Sequence, residues 1–164
     1  MKYEPSVAWL WGSVYACFDT NCWILTSCGW EKDQELVNKR MGCSSVVTSQ
    51  GLLIVGGWNS KETTEVVSQT GSRSSFPLSS EMQEHCVIQT SSSSAVLIGG
   101  SYTPKQALEY TGLDGPDSEV KSTNLPDLIT GRANLGCGTY RHQGTLVGSS
   151  NPCFVTDLTL FPRC

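Results

Sequence analysis

Residues 43–57 read CSSVVTSQGLLIVGG, and residues 86–100 read CVIQTSSSSAVLIGG. Each copy has a cysteine, a strand-like run, a small polar turn, an apolar run and a closing diglycine. The step is 43 residues, from Cys43 to Cys86 and again from Gly56 to Gly99. A weaker third copy, CGTYRHQGTLVGSS, occupies residues 137–150. A period of this size marks an array of similar supersecondary units, each of which buries its apolar face against a neighbour. The run Leu52-Leu53-Ile54-Val55 does not alternate, which suits a strand buried on both faces, as between stacked sheets. Gly56 and Gly57 end it, and a bulge or a close backbone approach is expected there.

Working outward from these copies, the first unit reads as strands at 43–48 and 52–55 around a Ser49-Gln50-Gly51 turn. A polar loop at 58–62, a third strand at 63–68 and a fourth near 76–78 follow. The second unit repeats this with strands at 86–90, 95–98, 107–111 and 119–122, and a loop at 101–106. The third begins at Arg132, with strands at 137–141 and 144–147, a turn near His142-Gln143 and a last strand at 154–160. Upstream, 13–18 and 22–26 read as two short strands joined by a tight Asp19-Thr20-Asn21 turn. The run 31–40, EKDQELVNKR, has high helix propensity and reads as a brief helical turn or a linker. The organisation is therefore an extension at 1–12, an incomplete leading unit at 13–36, and repeats over 37–164. The repeats divide at about 40–79, 80–126 and 131–164.

Charged residues are 16% of the chain, the net charge is −4, and the pI is near 5.1. This balance argues against a general nucleic-acid binder or a protein held on anionic membranes. No run of eighteen apolar residues exists, so no transmembrane helix is expected. Lys2 before the modestly apolar stretch 7–16, with Val14-Tyr15-Ala16 as a small-residue site, is compatible with a signal peptide. The other reading is the apolar strand of the incomplete unit. The compartment is left open, with the cytoplasm as the default and secretion as the alternative.

The eight cysteines invite a disulfide framework. Cys43, Cys86 and Cys137 share one phase of the repeat, however. Equivalent positions in stacked sheets lie roughly 10 Å apart, while a disulfide needs Cα atoms about 4.4–6.8 Å apart. These three therefore read as small buried residues and not as partners of one another. Cys17, Cys22 and Cys28 are close enough in sequence to pair.

Four short strands per unit, with a diglycine after the second, resemble the kelch repeat. Arg40 and Arg132 match its arginine, which the second unit lacks; Gly56-Gly57 and Gly99-Gly100 match its diglycine. Glu109-Tyr110 matches its tyrosine position, where the first unit has Glu65-Val66-Val67. Trp30 and Phe76 stand in for its tryptophan. The resemblance covers roughly residues 13–160 and implies an all-β fold: a partial β-propeller of about three four-stranded antiparallel kelch-like blades. Propellers have about four to eight blades, so the expectation is part of a larger propeller, or a chain that self-associates to complete or cover one.

No residue set reads as a catalytic centre. His85 and Cys86 are adjacent, and on a strand their side chains point to opposite faces, so they cannot form a nucleophile–base pair. Cys86 reads as packing, and His85 as exposed or near a loop. Cys17-x₄-Cys22 and Cys22-x₅-Cys28 lack the spacing and histidines of a zinc site. Glu62 with Glu65, and Asp114 with Asp117, sit beside turns and read as solvated acids. No phosphate-binding glycine motif is present, and no cofactor or metal is implied. What remains are the loops after each diglycine, 58–62 (WNSKE) and 101–106 (SYTPKQ), in which Trp58 and Tyr102 read as equivalent positions. Exposed aromatics on rigidly held loops are enriched in binding hot spots. The expected function is a non-catalytic protein-interaction module, with Trp58, Asn59, Lys61, Tyr102 and Lys105 as the candidate contact residues and a protein as the partner. The alternatives are a propeller enzyme, such as the copper oxidases with kelch-like blades, and a truncated product with no independent function.

Overall fold

The computed structural model describes residues 5–140 and 143–148. The first sheet contains β1 (Ser6–Leu10), β2 (Ser13–Thr26) and β3 (Gly29–Arg40). Next come β4 (Ser44–Thr48), β5 (Gly51–Val55), β6 (Thr63–Ser68) and β7 (Gly71–Pro77). The third sheet has β8 (Cys86–Ser91), β9 (Ser94–Ile98), β10 (Ala107–Thr111) and β11 (Lys121–Asn124), with a 3₁₀ turn at Asp117–Glu119. β12 (Leu135–Tyr140) and β13 (Gln143–Gly148) pair as a hairpin. The fold is all-β, and among the described residues the strands within each sheet pair antiparallel with their neighbours in sequence. The expected last strand at 154–160, Cys153, Cys164 and the start of the signal-peptide reading lie outside the described residues.

The residues before position 13, read as an extension, supply β1. It hairpins onto β2 through Trp11 and Gly12, which sit at φ 49° and 81°. Two successive positive-φ residues form the hairpin turn that matches strand twist. Tryptophan is an unusual first residue for it, which hid the turn. The Cα atoms of Cys17 and Cys22 are only 4.1 Å apart, whereas five residues of extended strand span roughly 16 Å. β2 therefore doubles back between them, at the expected Asp19-Thr20-Asn21 turn, with Asp19 at φ 56°. The run 31–40 is strand, not helix or linker. It forms the last strand of its sheet, where Glu31, Lys32, Asp33 and Glu35 are exposed. Charge on an edge discourages further pairing, and packing of Leu36 into the core overrides helix propensity.

The sheets pack face on face. Leu52, Ile54 and Val67 join Leu10, Tyr15, Cys22 and Leu36 in one core between the first two sheets. Their alternates Leu53, Val55 and Val66 join Val87, Leu97, Leu108 and Tyr110 in a second core on the other side. The unbroken apolar run of β5 is the consequence: both its faces are covered. The first strands of the four sheets lie side by side, β1 against β4, β4 against β8 and β8 against β12.

The internal repeat is subtler than its 43-residue step. Register pairs Ser44 with Val55 and Cys86 with Ile98, so Ser44 and Cys86 are equivalent. Cys43 is then the counterpart of His85. β8 carries one extra residue, Thr90, at a bulge between Gln89 and Ser91. The step is 42 residues before the bulge and 43 after it. Hydrogen bonds between sheets keep the same phase: Glu84 N–H donates to Gly42 O at 2.9 Å, and Asn134 N–H to Glu84 O at 2.9 Å.

Candidate functional site

The loops that follow the diglycines are held by close backbone contact. A Cβ on Gly56, at φ 58°, would lie 2.2 Å from Met82 O, and one on Gly99, at φ 67°, would lie 2.5 Å from Arg132 O. Only glycine fits where the chain passes this near to the next sheet. The following residues then hydrogen-bond across their own unit: Trp58 N–H to Met41 O at 2.8 Å, and Ser101 N–H to Gln83 O at 3.0 Å. Trp58 is thus the counterpart of Ser101, and Tyr102 of Asn59. The reading of Trp58 and Tyr102 as equivalent is off by one residue.

Arg40 anchors the first of these loops from below. Fully buried, it donates from Nε to Glu65 Oε2 at 3.2 Å, from Nη1 to Gly56 O at 2.8 Å and Thr63 O at 3.1 Å, and from Nη2 to Thr63 Oγ1 at 3.0 Å. Glu65 also accepts from the N–H groups of Val37 at 2.5 Å and Asn38 at 3.3 Å. Both ends of the 56–63 loop are thereby tied to one guanidinium. Glu65, read as a solvated turn acid, is instead buried; its supposed companion Glu62 is exposed. Asp117 likewise bonds Arg73 at 2.7 Å and Ser75 Oγ at 2.8 Å. Partial burial raises its pKa, but these hydrogen bonds and the Arg73 charge outweigh that and leave its carboxyl below the usual range.

On the outside, the structure brings three loops into one rim. Lys61 Nζ donates to Tyr102 Oη at 2.5 Å, lies 3.9 Å from the centre of the Tyr102 ring, and reaches Glu81 at 3.4 Å. The Tyr102 hydrogen bond is the main reason that the ammonium is held above its ordinary pKa. Leu128 N–H donates to Lys105 O at 2.7 Å, and Arg132 N–H to Pro104 O at 2.7 Å, joining the 101–106 loop to the 125–132 connection. Trp58 is 57% exposed and Tyr102 50%, so neither ring is core, and Asn59 and Lys105 are exposed beside them. Ile129, 98% exposed, belongs to the same rim and was missed in the sequence. Its signal was an apolar Leu128-Ile129 pair inside an otherwise polar connection.

His85, expected near the surface, is buried, and neither ring nitrogen has a hydrogen-bond partner. Burial holds its pKa down to about 4. Cys86, read as a packing thiol, is disulfide-bonded and therefore has no free thiol. Cys17 and Cys22 form a second disulfide, Cys28 is free and exposed, and Cys43 is a free buried thiol that burial pushes up to about 11. Among the described residues, no group of three or more His, Cys, Asp or Glu side chains is placed to hold a metal ion.

No family model and no curated protein matches this chain. Among solved structures, one described as "Structure of YjhT" is similar over 87% of this chain with a TM-score of 0.73 and 11% sequence identity. At that identity the likeness is one of fold. The match spans 57% of the YjhT chain, so this chain corresponds to little more than half of that protein's length.

Proposed function

We propose that the chain supplies kelch-like blades of a β-propeller larger than itself and acts as a non-catalytic protein-interaction module. The rim around Trp58, Lys61, Tyr102, Lys105 and Ile129 is its contact surface. The reading of the sheets as blades rests on the sequential four-strand order of the second and third, the face-on packing, the side-by-side first strands and the glycine pairs that let successive units approach. The similarity to a longer solved chain of the same fold supports it.

One observation carries the functional reading: large apolar side chains are displayed on loops that are stitched to each other and to the sheets beneath them. Pre-ordered aromatics contribute contact area at little entropic cost on binding. A photo-crosslinker at position 58 or 102 is expected to capture a discrete protein partner, while one at Lys121 on the outer strand captures none. Trp58→Ala with Tyr102→Ala should weaken that capture at least tenfold with the melting temperature within a few degrees. Unchanged capture, or a collapse in stability, would remove the rim as the contact surface.

A further inference from the structure

A groove of about 410 Å³ runs between the first and second sheets, lined by Trp11, Tyr15, Asp33, Gln34 and the turn at 69–71. That turn joins β6 to β7 at the end of the second sheet opposite the 56–63 loop, so the groove is remote from the rim. Both walls belong to this chain. Tyr15 sits in the core shared by the two sheets, and Gln34 Nε2 donates across to Ser68 O at 3.2 Å. A further blade on the outer face of the first sheet would stand behind one wall, not in the groove. The volume lies in the ordinary range of ligand pockets, about 300–1,000 Å³.

Two departures from regular strand supply its side chains. Register pairs Cys22 with Gln34 and Trp23 with Lys32, so Asp33 is the extra residue of a bulge. A bulge re-aims the side chain it carries, and Asp33 lines the groove beside Gln34 instead of alternating with it. Trp11 stands at φ 49°, a conformation rare for a bulky residue. Its ring is 41% exposed and meets the Tyr15 ring edge to face, with centroids 5.7 Å apart.

The groove offers acceptors that nothing in the chain satisfies. Gln34 Nε2 is committed to Ser68 O and to Asp33 Oδ2 at 3.0 Å, which fixes the amide and leaves Oε1 on its other side. That Oε1 is buried and has no hydrogen-bond partner. Asp33 forms no ion pair among the described residues, its neighbour Lys32 being engaged by Glu35 at 2.6 Å. Its charge is felt by Tyr15, whose hydroxyl is held above its ordinary pKa first by burial and then by Asp33. An unmatched carboxylate, an unmatched amide oxygen and an exposed indole complement one chemistry: a cation that donates N–H groups and lies on an aromatic ring. We propose that the groove binds an organic cation, an alkylammonium or alkylguanidinium. Asp33 takes its charge, Gln34 Oε1 accepts one N–H, and Trp11 covers it. Such a group arrives as a free amine or as a Lys or Arg side chain of a polypeptide.

Calorimetric titration of the full chain with n-butylammonium and n-butylguanidinium chloride tests this, with n-butanol and glucose as neutral controls. Saturable binding at roughly millimolar concentration is expected for the cations alone. Asp33→Asn should weaken it about tenfold. Trp11→Asn, which suits the left-handed backbone but lacks the ring, should weaken it about fivefold. Raising sodium chloride from about 0.05 to about 0.5 M should weaken binding in the unmutated chain, without recourse to a variant. Trp58→Ala with Tyr102→Ala should change nothing, which keeps this outcome separate from that of the rim. Tighter binding of the blocked peptide acetyl-Gly-Lys-Gly-amide than of butylammonium would assign the cation to a polypeptide, and the reverse order to a free amine; either order upholds the site. Equal binding of butanol or glucose, indifference to Asp33→Asn, or no binding of either cation would overturn it.

Discussion

The second and third sheets are two solutions to one packing problem. In the second, Glu65 forms a fully buried ion pair with Arg40 from the end of β3, and the remaining donors and acceptors are met by backbone and Thr63. In the third, register places Met82 where Arg40 stood and Leu108 where Glu65 stood, and both are buried in one apolar cluster. The chain therefore contains its own hydrophobic replacement of a buried charge pair. Such pairs gain little net stability, because desolvation offsets attraction, yet losing one partner is costly. What Arg40 adds is geometry: it ties both ends of the loop that bears Trp58 and Lys61. The third sheet has no such tie, and there the loop is held by backbone hydrogen bonds to the 125–132 connection and by the contact of Tyr102 with Lys61.

The largest effect should come from breaking the pair on one side. Glu65→Leu leaves the Arg40 charge buried and unmatched and should cost about 3–5 kcal/mol. At about 2–4 °C per kcal/mol for a domain of this size, that is a drop of the order of 10 °C. Adding Arg40→Met, which copies the third sheet, should recover more than half of the loss in a urea melt. No recovery would mean that the two sheets are not interchangeable at these positions.

A second contrast lies one step along the strand, where Cys43, His85 and Leu135 are counterparts in successive units. His85 is held at a pKa of about 4 against an ordinary 6.5. Its unfolded form binds a proton first as pH falls, so stability is intact above pH 6.5 and drains away between 6.5 and about 4. The loss amounts to about 3 kcal/mol, at 1.36 kcal/mol per pKa unit. His85→Leu, borrowing the residue of the next unit, should flatten that acid limb and raise stability at pH 5. An unchanged acid limb would show that some other group sets it.

The smallest effect belongs to the contact that bridges the two sheets at the surface. Arg73 and Asp117 are each about a third to a half exposed, and such pairs contribute roughly 0–1 kcal/mol. Asp117→Asn should lower stability by less than that, with the difference gone in high salt. The depressed carboxyl pKa fixes the sign: its contribution is present above the ordinary Asp range and fades as pH falls.

Much of the architecture was legible because it follows from short-range rules. The unbroken Leu52-Leu53-Ile54-Val55 run meant two covered faces, and the diglycines meant close approach. What misled was coincidence of spacing. Cys43 and Cys86 share a 43-residue step with the glycines only because Thr90 is inserted between Cys86 and the second diglycine, so identical letters fell one residue out of phase. A single inserted residue changes which face a side chain occupies. No composition rule reveals it. Trp58 and Tyr102 fell out of phase for a simpler reason: Trp58 follows its diglycine directly, whereas Ser101 stands between Gly100 and Tyr102. The burial of Glu65 was hidden for a different reason. Its partner Arg40 ends β3 in the neighbouring sheet, and nothing local to the 62–65 turn announces a cation. Ile129 went unnoticed because loops are read for polarity.

Every sheet takes its strands in sequence order, each pairing with the one just made. Each hairpin therefore closes only a short loop, and loop closure is the entropic step that slows most all-β chains. Between sheets, contact runs from one unit to the next along the chain. The free energy of such a molecule approximates a sum of unit terms and nearest-neighbour terms, as in a one-dimensional lattice. Order can then begin at any hairpin and spread outward, and damage to one sheet should be felt by its two neighbours before it is felt anywhere else.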